Sequence, residues 1–139
     1  GEELRREAIE SLRRQLAYMP KRNTWTAIGA SLEEDLTALL AGSDENYHAY
    51  AFATVRQCGA AFETARSFVE WCDPSPEGHS ATAAAALGRQ VNGAKMLLFK
   101  LARRRAFNPA PAIAELAGDW ESSIDALDRM ALTVELNAV

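Results

Sequence analysis

The chain has 139 residues, of which 48% are hydrophobic, and its 15 Lys and Arg against 19 Asp and Glu give a formal net charge of −4. This length suits one domain with a sizeable core, and the hydrophobic content excludes a disordered chain. The acidic balance argues against nucleic acid as a partner. The sequence has no apolar run long enough to cross a bilayer and no signal peptide, so we expect a cytoplasmic protein without membrane contact.

Apolar residues recur at helical spacing along most of the chain, which predicts an all-α fold. The first helix is predicted from about Glu2 to Tyr18, and Pro20 ends it because a proline disfavours helix in the residue before it. A short second segment follows. It begins either near Thr24 or at Ser31, which forms a capping-box pattern with Glu34.

Three further helices are predicted, joined by short connections. Their bounds are Ser43 or Asp44 to Cys72, about Ser80 to Arg105, and Pro109 onward. Helices joined by short loops pack antiparallel as a rule. The sequence therefore predicts a single domain over residues 1–139, an up-down bundle of four main helices plus a short extra helical segment.

Three charged residues share a second face of the long third helix: Arg56, Glu63 and Arg66. Small residues between them would let another helix or a ligand approach closely. One interpretation is a partly buried ion-pair network between two helices. The other is a polar binding pocket inside the bundle, with Gln90 and Lys95 contributed by the fourth helix.

A basic cluster marks the end of the predicted fourth helix. It comprises Lys95, Lys100, Arg103, Arg104 and Arg105. Cations near a helix C-terminus interact favourably with the helix dipole, which is a purely structural interpretation. The alternative is a binding site for phosphate or for an acidic partner protein.

No catalytic residue, metal site or cofactor is predicted from the motifs. Glu45 and His48 have the spacing found in carboxylate-bridged metal bundles, but the required second motif is missing, and His79 lies in a predicted loop. Cys58 and Cys72 lie about 21 Å apart along one helix, too far to form a disulfide with each other. We interpret both as buried thiols in a reducing cytoplasm. Whether the protein is an enzyme stays open.

Three stretches of the chain resemble a known family. They are Tyr50–Glu63, Gly93–Arg103, and Phe107–Pro111 together with Trp120. From Leu12 onward the chain is similar to the C-terminal helical region of a bacterial family of unknown function. Members of that family are often encoded beside amino-acid:carrier-protein ligases, and the N-terminal half of the full-length members looks like a papain-type cysteine hydrolase or acyltransferase.

The resemblance implies a helical accessory or binding domain that works with an acyl- or aminoacyl-transfer system using a carrier protein. No catalytic residue carries over, because the positions that would bear one lie outside this sequence. The partner would be an acidic carrier protein, bound by the basic cluster, or the missing N-terminal domain. The alternative is a self-associating bundle, such as a homodimer, with a structural or protein-interaction role and no ligand.

Overall fold

All regular secondary structure is helical in the computed structural model, which describes residues 1–18, 22–75 and 77–137. The elements are α1 (Glu2–Tyr18), α2 (Thr24–Ala41), α3 (Asp44–Tyr47), a π-helical turn (His48–Phe52), α4 (Ala53–Cys72), α5 (Gly78–Ala102) and α6 (Ala110–Asn137). The predicted all-α class is confirmed. The predicted end of α1 at Pro20 lies outside the described residues.

The long helices α4, α5 and α6 pack as successive antiparallel neighbours. The Tyr47 hydroxyl, just before α4, donates to the Leu101 carbonyl at the end of α5, at 2.6 Å. Further along the pair, Arg66 of α4 lies over Gly88 in the middle of α5. The two helices therefore run in opposite directions, which is the up-down packing expected for helices joined by short loops.

The fourth side of the bundle is divided between α1 and α2, which both pack on α6 and do not contact each other in the described residues. Each covers its own hydrophobic cluster. The α2 cluster contains Trp25, Leu32, Leu36, Tyr47, Val55, Ala94, Leu97, Leu101, Ile113, Leu116 and Trp120. The α1 cluster contains Ile9, Val69, Cys72, Ala83, Ala84, Leu87, Ala126, Leu127 and Met130. Phe62 and Ile124 border both clusters and so join them.

The second segment is a full helix of 18 residues and so is longer than the short segment expected. It begins at Thr24, because the Asn23 side chain caps it by accepting hydrogen bonds from the backbone amides of Trp25 and Thr26 at 3.0 and 3.3 Å. Gly29 lies inside this helix and does not break it. A Cβ atom at Gly29 would stand 2.5 Å from Ile113 Cγ2, so the glycine serves the close approach of α6.

The predicted long helix from Asp44 to Cys72 is present, with a π-helical turn near its start. Ser43 caps it as expected, accepting from the Asn46 amide at 3.2 Å. Helix α5 ends at Ala102, three residues before the predicted end, because Arg104 has a left-handed backbone with φ of 50°. Helix α6 begins directly after Pro109.

Two glycines provide a matched test of the α2–α6 contact. We expect Gly29→Ala to lower the free energy of unfolding, because the new methyl group would collide with the stiff β-branched Ile113. Gly118→Ala should instead raise it by about 0.5–1 kcal/mol, since an alanine is the better helix former and nothing lies within 4 Å of the new Cβ. Urea unfolding of both variants measures the difference, and stabilisation by both would contradict the proposed close contact.

Candidate functional site

Gln90 lies in the core, where it connects three helices. Its side chain is fully buried. Its amide oxygen accepts a hydrogen bond from Trp25 Nε1 at 3.0 Å. Its amide nitrogen donates to Ser123 Oγ at 3.1 Å and to the carbonyls of Ala86 and Asp119 at 3.3 Å. With its hydrogen-bonding capacity used within the core, Gln90 holds α2, α5 and α6 together and does not face a ligand pocket.

The face with Arg56, Glu63 and Arg66 is exposed to solvent, so the expected partly buried network between these residues does not form. Arg66 instead pairs with Glu70 on its own helix, at 3.1 Å. The Arg66 side chain lies across α5 at Gly88, where a Cβ atom would be 3.1 Å from Arg66 Nη1. Gly88 of α5 therefore accommodates the Arg66 side chain, whereas Gly59, between the charges on α4, faces Ala94 of α5. The three charges do not enclose a pocket.

Arg104 differs from the rest of the basic cluster because it is tied into the fold. Its guanidinium donates to the carbonyls of Leu40, at 3.3 Å, and Gly42, and it pairs with the Asp44 carboxylate. It also lies 5.4 Å from the ring centroid of Tyr47. Arg104 thus caps the C-terminal end of α2 and joins it to the start of α3. The pKa of the neighbouring Tyr47 phenol is raised by burial.

The outer face of α5 carries large apolar side chains between exposed cations. Met96 is 61% exposed and Phe99 is 67% exposed. Lys95, Lys100 and Arg103 are exposed beside them. A helix turns by about 100° per residue, so Phe99 lies roughly opposite the buried Gln90. We call the exposed set Lys95, Met96, Phe99, Lys100 and Arg103 the α5 surface.

The sequence around the α5 surface contains no acidic residue. From Gly78 to Ala114 there are six Lys and Arg and no Asp or Glu, so the rest of the chain holds nine cations against 19 anions. Two of the six cations have carboxylate partners: Arg89 pairs with Asp119 at 2.8 Å, and Arg104 pairs with Asp44. Lys95, Lys100, Arg103 and Arg105 have no ion-pair partner in the described part of the chain. The end of α5 and the residues just after it therefore form a basic segment in a chain that is acidic overall.

The sequence alone did not predict that Met96 and Phe99 are exposed. They belong to a run of four consecutive apolar residues, Met96 to Phe99, in which periodicity alone cannot fix which two face inward. In the structure Leu97 is 1% exposed and Leu98 is partly buried. The available signal was the position of two large apolar residues between Lys95 and Lys100.

Neither thiol is disulfide-bonded: both Cys58 and Cys72 are free. Burial raises the pKa of each thiol, so both are mainly protonated near neutral pH and weakly nucleophilic. Within the described ranges, no three His, Cys, Asp or Glu side chains come close enough to hold a metal ion. No helix in those ranges is long and apolar enough to cross a membrane.

Replacing Arg104 should destabilise the fold, whereas replacing its neighbour Arg103 should not. We expect Arg104→Ala to cost about 1–3 kcal/mol, because the α2 carbonyls lose a charged donor in a partly buried site. Arg103→Ala, at an exposed position, should change the free energy of unfolding by less than about 0.5 kcal/mol. Equal unfolding midpoints for the two variants in urea would show that Arg104 is only a surface charge.

Gln90→Leu should also destabilise the protein, by about 1–3 kcal/mol, because it leaves Trp25 Nε1 buried without an acceptor. The same change at the exposed Gln57 of α4 is the control and should be near neutral. Adding Trp25→Phe removes the stranded donor, so the double variant should lose less stability than the sum of the single changes. Strict additivity in a double-mutant cycle would exclude a working Trp25–Gln90 hydrogen bond.

No curated protein and no solved structure matches this chain. The family model of the DUF1839 C-terminal domain matches residues 1–129. That match extends across all of α1 to α5 and most of α6, and so includes the α2 cluster, all of the α1 cluster except Met130, and the α5 surface. The chain therefore belongs to the DUF1839 C-terminal domain family.

Proposed function

We propose that this helical domain is a docking module for an acidic carrier protein in an acyl- or aminoacyl-transfer system, and that the α5 surface makes the contact. The observation that carries the proposal is the coincidence, on one face, of unpaired cations with two exposed large apolar side chains, Met96 and Phe99. Carrier proteins are acidic, and complementary charge both steers association and fixes orientation.

In this proposal, Met96 and Phe99 supply binding affinity that exposed charges alone do not. Exposed ion pairs contribute about 0.2–1 kcal/mol each and weaken with salt. Burial of large apolar side chains at the centre of a contact usually provides most of the affinity, while polar side chains form the rim. On the α5 surface, Phe99 has the position of such a centre, and Lys95 and Arg103 lie one helical turn before and after it on the same face.

The alternative function, self-association, is disfavoured for a symmetric contact through this face. A two-fold dimer would place the α5 surface of one copy against that of the other. The cations of one copy would then face the same cations of the other: Lys95, Lys100 and Arg103. No acidic residue of α5 would offset their repulsion. Like charges brought together in this way are destabilising.

A charge reversal that leaves Arg104 intact tests the proposal. The variant Lys95→Glu/Lys100→Glu/Arg103→Glu should weaken binding to an acidic carrier protein from the same organism by about tenfold or more at roughly 0.1 M salt, and should flatten the salt dependence. Phe99→Ala should weaken binding while leaving the salt dependence unchanged. Titration calorimetry at two salt concentrations measures both effects.

The matched control is Arg6→Glu/Arg14→Glu/Arg22→Glu, which changes the net charge equally at three other exposed positions. It should retain affinity within about twofold, because a specific contact depends on local charge and not on the total. Equal losses of affinity in the two triple variants would show that only the net charge of the protein matters for binding. Unchanged affinity in the α5 variant, with intact helical circular dichroism, would overturn the proposal, and analytical ultracentrifugation would then test self-association.

A further inference from the structure

A second feature lies at the corner where α5 ends and α6 begins. A cleft of about 280 Å³ is lined by Lys100, Arg103, Arg105, Ala106, Phe107 and Asn108. Three of these six residues are cationic and none is acidic. Lys100 Nζ lies 6.0 Å from the centroid of the Phe107 ring, which places this cation over an aromatic side wall.

The three cations of this corner cleft lack counter-charges. Lys100, Arg103 and Arg105 make no ion pair in the described part of the chain, whereas Arg104 between them is committed to Asp44 and to the end of α2. Three like charges around one cleft repel each other, and the repulsion is relieved when an anion enters. The cleft is therefore electrostatically suited to an anion of more than one negative charge.

The Asn108 side chain and the start of α6 also favour an anion in the cleft. Asn108 Oδ1 accepts from the Ala110 amide at 3.1 Å, which caps α6 and leaves the side-chain nitrogen to donate. The positive end of the α6 dipole is at this same corner. Arginine forks bind two oxygens of a phosphate at once, which a lysine point charge does not do.

From this geometry we infer that the corner cleft binds a phosphate group. Phe107 and Ala106 supply an apolar wall. Lys100 also lines a second groove between α5 and α6, together with Met96, Pro111 and Ala112 near the cleft and with Glu115 and Asp119 further along. A chain attached to the phosphate would have room to continue along that groove. The inference goes beyond the proposed docking function and requires no protein partner.

The test uses small phosphates with the whole chain. Backbone amide signals of Arg105 to Asn108 are followed by NMR during titration with inorganic phosphate and, separately, with n-hexyl phosphate, at constant ionic strength set with sodium chloride. We expect saturable shifts in both titrations. Tighter binding of hexyl phosphate, with shifts spreading to Met96 and Ala112, would assign the site to an organic phosphate, and equal affinities would assign it to the free anion.

Arg105→Gln and Arg103→Gln each remove one cleft charge at an exposed position, so the fold should survive. Each should weaken phosphate binding by about fivefold or more, given the strength of charge-assisted hydrogen bonds. Lys95→Gln removes an equal charge from α5 outside the cleft and should change phosphate affinity by less than about twofold. Linear, non-saturating shifts, or equal losses in all three variants, would overturn the site. The phosphate titrations contain no carrier protein, so this outcome would not contradict the docking function, which the charge-reversal variants test separately.

Discussion

The buried amide of Gln90 fixes the rotation of α5 about its axis, and the arrangement of the surface depends on that rotation. Its oxygen is held by α2 and its nitrogen by α6. Rotating α5 would break bonds on both sides at once and leave Trp25 Nε1 without a partner in the core. With Gln90 inward, a helical repeat of about 3.6 residues places Phe99 outward. The exposure of Phe99 thus follows from a polar contact nine positions earlier in the chain.

Small residues allow α5 to act as the central helix of the bundle. Its first half presents Ala83, Ala84 and Ala86 inward, and Gly88 and Gly93 receive Arg66 and Leu116 from the two neighbouring helices. A Cβ atom at Gly93 would stand 2.5 Å from Leu116 Cδ2, so α6 could not keep this distance against a larger residue. The inner side of α5 is filled by these small residues together with Leu87, Gln90, Leu97 and Leu101, and Met96 and Phe99 are left on the outside with the cations.

The sequence was sufficient for the helices and insufficient for contacts between distant residues. Helical periodicity and the Ser43 cap predicted the helix that ends at Cys72, because both are local signals. The start of α2 stayed open between Thr24 and Ser31, because the sequence does not distinguish a glycine such as Gly29, which admits Ile113 from another helix, from one that interrupts a helix. The same limit applies to Arg104. The sequence does not show which of the five cations between Lys95 and Arg105 is structural, because only the fold brings Leu40 and Asp44 to Arg104.

The separation of Arg104 from its neighbours has a consequence for how the basic end of α5 can work. A cation that already binds Asp44 and the α2 carbonyls is neutralised locally and contributes little to an external partner. Lys100 and Arg103 have no carboxylate partner in the described part of the chain, and they belong to both the α5 surface and the corner cleft. A partner that carried a phosphate near an acidic surface would engage both features through these two side chains. Arg105 would then report on the phosphate and Lys95 on the protein contact, because each of them lies in only one of the two regions.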